Sequence, residues 1–123
     1  MRSPTPLLRI ALAAAALAAC APVPRGPADP ATVAALERLG ARACVESTAR
    51  GVGAAGVTAQ GVDSVFYTEQ VAEDGENNYV VGYLAWLRVL GRPGYLVVDL
   101  DEFCRVEQVY TRDGMRLGGI PAY

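Results

Sequence analysis

Every one of the 11 basic residues in this 123-residue chain is an arginine, and lysine and histidine are absent. That excludes Schiff-base lysines, the Walker A lysine, triads with a histidine base and all histidine metal sites. Carboxylate, arginine, tyrosine and hydroxyl chemistry remain. The densest group of that kind is Asp99, Asp101 and Glu102, expected to sit together with Arg88 and Arg105. It could work as an acid–base pair or hold calcium, but EF-hand spacing is missing, and alternating charges on an outer strand face ordinarily form solvated cross-strand pairs. No nucleophile has a paired base, so no catalytic residue, metal ligand or cofactor is assigned, and we expect no enzyme. A net charge of −2 and a single tryptophan offer no basic field for nucleic acid.

The other reactive side chains are three cysteines, Cys20, Cys44 and Cys104. Their meaning depends on the first twenty residues. Arg2 and Arg9 mark a positive n-region, and Ile10 to Ala19 is an unbroken apolar run of ten residues. Such a run suits a signal sequence and is well short of the roughly 18 to 20 residues of a spanning helix. It ends in Leu17-Ala18-Ala19-Cys20, which resembles the lipobox of bacterial lipoproteins. The resemblance implies cleavage before Cys20, a diacylglyceryl thioether on its sulfur, and acylation of the new N-terminus. Residues 1–19 are then a signal peptide, and the address is the periplasmic side of the bacterial cell envelope, the outer membrane in preference to the inner.

Assigning Cys20 to lipid leaves an even pair, Cys44 and Cys104, in an oxidising compartment, where a disulfide is the natural outcome. It would close a loop of about 60 residues and contribute on the order of 3 to 4 kcal/mol in the chain-entropy model. A small core needs that help.

The remaining 104 residues carry 9 arginines against 13 carboxylates. Residues 20–29 are rich in proline (Pro22, Pro24, Pro27) and read as an extended tether. Residues 30–123 read as a single α+β domain: one N-terminal helix packed on a four-stranded antiparallel meander. Asp29 followed by Pro30 is an N-cap with proline at the first helical position, and the helix is expected to run to about Arg50, with Val33, Leu36, Gly40, Ala43, Cys44 and Ser47 on its inner side and Ala49 on the outer. Gly51 or Gly53 would end it. Gly51-Val52-Gly53-Ala54-Ala55-Gly56 spells G-x-G-x-x-G, but a helix precedes it rather than a strand, so phosphate binding is rejected.

Strands are expected over 62–71, 79–90, 95–100 and 104–111, with an acidic turn over 72–78. The Gly91-to-Gly94 connection has even length however it is counted, so odd positions of one strand pair with even positions of the next. Tyr83, Ala85, Leu87 and Val89 then share a face with Leu96, Val98 and Leu100, and that face belongs under the helix. Leu84, Trp86, Arg88 and Leu90 share the other with Tyr95, Val97, Asp99 and Asp101. A three-residue loop 101–103 turns Cys104 and Val106 inward and avoids burying Arg105 and Glu107.

The outer face holds more apolar surface than a solvated face usually shows. It is a candidate partner surface built on Trp86, Arg88, Tyr95, Asp99 and Arg105, unless the glycine-rich segment or the C-terminal tail covers it. The mature domain resembles small exported proteins of unknown function from alphaproteobacteria, a resemblance that supplies no catalytic residues. The leading expectation is a lipid-anchored, non-catalytic envelope module that binds an envelope protein or component. A purely structural lipoprotein, or a small-ligand binder or enzyme using the Asp99/Asp101/Glu102 and Arg88/Arg105 cluster, are the alternatives. For the anchor itself, the intact mass of detergent-extracted protein is expected to match a chain starting at Cys20 plus acyl groups; a soluble form with a free Cys20 thiol would refute it.

Overall fold

The computed structural model describes residues 24–123; residues 1–19, expected to be a signal peptide, Cys20 and the first residues of the proline-rich stretch lie outside them. The architecture is α+β. Two helices, α1 (Pro30–Arg38) and α2 (Val45–Ala54), and a 3₁₀ turn (Ala59–Gly61) lead into β1 (Val62–Asp74), β2 (Asn77–Val89), β3 (Tyr95–Asp101) and β4 (Val106–Arg112). The sheet is an antiparallel meander in the order β1-β2-β3-β4.

The single long helix is replaced by two, and glycine is the reason. Asp29 caps α1 as expected, its carboxylate accepting from Ala31 N–H at 3.4 Å and from the Thr32 hydroxyl at 2.9 Å. Gly40, however, is not an interior helical residue. At φ +94° it occupies the left-handed position just past the helix end, where Gly40 N–H reaches the Glu37 carbonyl and Ala41 N–H the Leu36 carbonyl. This paired closure is the Schellman motif, and it brings buried Ala41 back onto buried Leu36. The chain restarts at Cys44, and the shift of helical phase buries Ala49, which a continuous helix would have turned outward.

The same device ends α2 five residues later than Gly51. Gly56 sits at φ +73°, with Gly56 N–H on the Gly53 carbonyl and Val57 N–H on the Val52 carbonyl. Gly51 is mid-helix for another reason: a Cβ there would lie 2.6 Å from Val98 Cγ2. Its missing side chain lets α2 lie directly on β3. Between helices and sheet, Leu36, Val52, Ala85, Leu87, Leu96, Val98, Leu100 and Met115 form a core with almost no exposed area. Each fully buried leucine contributes roughly 1.5 to 3 kcal/mol.

Face assignment in β2 and β3 follows the expected parity: Leu87 pairs with Leu96, Ala85 with Val98, and Tyr83 with Leu100. Other strand details differ. The acidic turn is only Gly75-Glu76, with Gly75 at φ +61°, so β1 and β2 run on as a two-stranded ribbon past the last residue of β3. Val106 points inward as expected but opposite Leu100, and Glu107 forms a bulge between Val106 and Gln108. Continued alternation from Val106 would have buried Gln108 and Tyr110. The extra residue instead turns Val109 and Thr111 into the core and Tyr110 to the outer face.

Cys44 and Cys104 form the disulfide, with Cα atoms 5.2 Å apart at a sequence separation of 60. It ties the start of α2 to the β3–β4 loop. Replacing both cysteines by alanine is expected to lower stability by roughly 3 to 4 kcal/mol in chemical denaturation, a large share of what a domain this size has in total. Unchanged stability would mean the unfolded chain gains nothing from losing the crosslink.

Candidate functional site

The outer face of the sheet reads as three rows crossing all four strands. Pairing sets Thr68 beside Leu84, then Asp99 and Gln108. The next row is Phe66, Trp86, Val97 and Tyr110, and the third is Ser64, Arg88, Tyr95 and Arg112. Val97 is fully buried beneath the rings, whereas Phe66 is 46% exposed and Trp86 and Tyr95 are partly buried.

The rings contact one another in a fixed arrangement. Phe66 and Trp86 are parallel at 6.0 Å between centroids, and Tyr95 meets both edge-on at 5.9 and 5.6 Å. Such geometry is favourable beyond simple area burial. The indole N–H donates to the Thr68 hydroxyl at 2.8 Å, which sets the ring's direction along the sheet. Two arginines sit against the cluster: Arg88 lies 4.4 Å from the centre of the Tyr95 ring and donates to its hydroxyl at 3.1 Å, and Arg112 lies 5.8 Å from the centre of Trp86.

The glycine-rich segment is on the helix side, within α2 and its cap. The C-terminal tail packs Met115, Leu117 and Ile120 against the inner core and then follows an edge, leaving the outer face uncovered. Thr111 N–H donates to the Pro121 carbonyl and Tyr123 N–H to the Thr111 carbonyl, so the tail extends β4 as a short parallel bridge. Tyr123 thereby reaches Tyr110 at 5.5 Å between ring centres and stays 72% exposed. Among the described residues the Phe66–Trp86–Tyr95 group is flanked by the Arg88 and Arg112 side chains, and neither the glycine-rich segment nor the tail crosses it.

Of the expected partner residues, Trp86, Arg88 and Tyr95 come together. Asp99 is in the neighbouring row, where Gln70 Nε2 donates to its Oδ1 at 2.7 Å. Arg105 is elsewhere, on the β3–β4 loop, its Nε donating to Asp101 Oδ2 at 2.6 Å and its guanidinium 5.3 Å from the Phe103 ring. The charged cluster of Asp99, Asp101 and Glu102 with Arg88 and Arg105 is therefore not one site. Asp101 opposes Gly82, and Arg88 lies six residues further along β2, which at about 3.3 Å per residue is roughly 20 Å away. Asp99 and Asp101 hold separate partners, and among the described residues no three of Asp, Glu and Cys gather as a metal site.

Phe66, Tyr110, Tyr123 and Arg112 were not on the sequence-derived surface. Tyr110 needed the Glu107 bulge. Phe66 needed a second one, because Gln70 pairs with Gly82 but Val71 with Val80, leaving Val81 extra on β2. Without it Phe66 would fall on the face of Ala85 and Leu87. Gly82 was the available signal: a Cβ there would collide with the Leu100 carbonyl, and a glycine inside a strand often marks a bulge or a close backbone approach.

Burial pushes the Tyr110 phenol up, the Asp99 charge adds to this, and Arg112 opposes it. On the inner face, burial likewise raises Tyr67, against a hydrogen bond shared with the Thr48 hydroxyl at 3.0 Å. Both phenols stay protonated at neutral pH. Comparison with protein-family models, curated proteins and solved structures finds no match to this chain.

Asp101 moves the other way. Desolvation raises its carboxyl, but the backbone N–H groups of Arg105 and Phe103 together with the Arg105 side chain and charge outweigh that and hold it below its ordinary value of 3.8. A lowered folded-state pKa favours the fold above the ordinary carboxyl range, and this contribution is lost as pH falls through the folded value. In an NMR titration the Asp101 carboxyl should have its midpoint below 3.8, and Arg105→Ala should move it upward without restoring the ordinary value, since the two backbone donors remain. An unshifted midpoint in the parent protein would show that these bonds do not persist in solution.

Proposed function

We propose that this protein is a lipid-anchored module of the bacterial cell envelope, held at the periplasmic side through Cys20, that binds an envelope component on the outer face of its sheet and catalyses nothing. One observation carries the binding reading: a contiguous aromatic group, Phe66, Trp86 and Tyr95, is assembled across three strands on the face away from the helices, with Phe66 exposed and Trp86 and Tyr95 only partly buried. A small domain with spare helical and tail segments normally buries such rings. Here the helices cover the opposite face and the tail lies along β4, so apart from shielding Val97 the rings stand outside the core between helices and sheet. The anchor and its address rest on the Leu17-Ala18-Ala19-Cys20 resemblance and on a disulfide suited to an oxidising compartment. The outer membrane is the favoured leaflet system.

Trp86→Ala and Phe66→Ala separate this from a purely structural lipoprotein. As central aromatic anchors each should weaken capture of the bound component by about 2 kcal/mol, roughly thirtyfold. Stability should fall by only about 1 to 2 kcal/mol, because ring–ring contacts and some cover of Val97 are lost while the core between helices and sheet is untouched. Site-specific photo-crosslinking from position 68 in living cells, with thermal melts of the purified variants, gives both readouts. A loss of roughly 3 to 5 kcal/mol in stability, or crosslinks unaffected by either substitution, would overturn the assignment.

A further inference from the structure

The same face suggests what it binds, an inference that rests on the binding reading above. Its aromatic row spans four strands at about 4.8 Å each, roughly 14 Å from Phe66 to Tyr110. It is flanked along the strands, only two residues away on either side, by rows of hydrogen-bonding groups: Thr68, Asp99 and Gln108 on one side, Arg88, Tyr95 and Arg112 on the other. At the β4 end the rows enclose a shallow depression of about 450 Å³ lined by Asp99, Gln108, Tyr110, Arg112 and Tyr123.

The alternation of rings and planar polar groups selects among ligand classes. A protein interface is enriched in aromatic rings and arginine but depleted in aspartate, whereas here Asp99 stands immediately beside the rings in one row with Thr68 and Gln108. A lipid surface would leave that charge desolvated. Nucleic acid would stack on the rings but needs a basic field, and the part of the chain after residue 19 carries 9 arginines against 13 carboxylates. A pyranose chain has apolar C–H faces bounded by equatorial hydroxyls, which matches a ring row between two polar rows. C–H groups carry slight positive charge and meet the negative face of an aromatic ring favourably.

The polar set narrows the sugar further. Asp99 is acceptor-only with one oxygen taken by Gln70, Arg112 is donor-only, and Gln108 is both. An N-acetyl group presents one N–H donor and one carbonyl acceptor, so it can use Asp99 and Arg112 at once. We propose that the outer sheet face binds glycan chains of N-acetylated pyranoses, with Trp86, Phe66 and Tyr110 under the sugar rings and Asp99, Gln108 and Arg112 on their amide and hydroxyl groups.

Trp86 is the only tryptophan in the chain, so its fluorescence reports on the site directly. Tetra-N-acetylchitotetraose titrated into the purified full domain should give a saturable change in emission, with cellotetraose at least about tenfold weaker because it has no amide to pair with the half-buried Asp99 carboxylate and the exposed Arg112 guanidinium. Isothermal calorimetry on the same pairs guards against a spectroscopically silent complex. Asp99→Asn and Arg112→Ala should each weaken the acetylated ligand by about tenfold or more. Arg105→Ala, on the distant loop, should leave it unchanged. Equal affinity for the two sugars, or no loss in the Asp99 and Arg112 variants, overturns the proposal. No saccharide binding by either method, with crosslinks still lost in Trp86→Ala, overturns the glycan but leaves the binding reading standing. Loss of neither signal to Trp86→Ala removes both.

Discussion

The contact of Gly51 with Val98 sets the relation between the two layers. With no side chain at Gly51, α2 can lie on β3 at van der Waals distance, and a Cβ there would meet Val98 at 2.6 Å. Val52 and Ala49 on either side are then pressed into the leucine and valine floor of the sheet. Interiors are close-packed, so an added methyl would have to displace Val98 or lift the helix. The Cys44–Cys104 bond closes the same junction from the end of the helix, fixing where α2 starts relative to the β3–β4 loop.

Two short helices do this better than one long one would. A continuous helix over 30–50 would span about 30 Å at 1.5 Å per residue and would carry Ala49 away from the sheet. Breaking it at Gly40 folds the two pieces over one face, and each break returns an apolar residue, Ala41 or Val57, to the helix it follows. All available cover is used on the inner face. The outer face is left to its own side chains, and the tail serves the free edge of β4, where unpaired backbone groups would otherwise invite another strand.

The composition of that outer face depends on two single-residue irregularities. The Val81 bulge brings Phe66 to Trp86, and the Glu107 bulge brings Tyr110 to the same row while Val109 goes inward. A bulge changes the parity of everything beyond it on one strand. The rings and arginines of the candidate site are thus collected from β1, β2, β3 and β4 by register, with Gly82 permitting the close strand approach beside the first bulge.

Much of this was legible in the residues themselves. The missing lysine and histidine removed whole reaction classes, the Asp29-Pro30 pair started α1 where it starts, and an even connection between β2 and β3 assigned Leu87, Leu96 and Val98 to one face and Trp86 and Tyr95 to the other. These are local properties: residue chemistry, cap geometry and a period of two. The break at Gly40, the interior place of Gly51, the short Gly75-Glu76 turn and both bulges were not legible, because a glycine is equally compatible with a cap, a close approach or a turn until its neighbours in space are known. The distance between Arg88 and Asp101 was hidden for a related reason. Shared parity places two residues on one face, but only register says how far apart along the strands they stand, and register is decided by long-range pairing and packing against the helices.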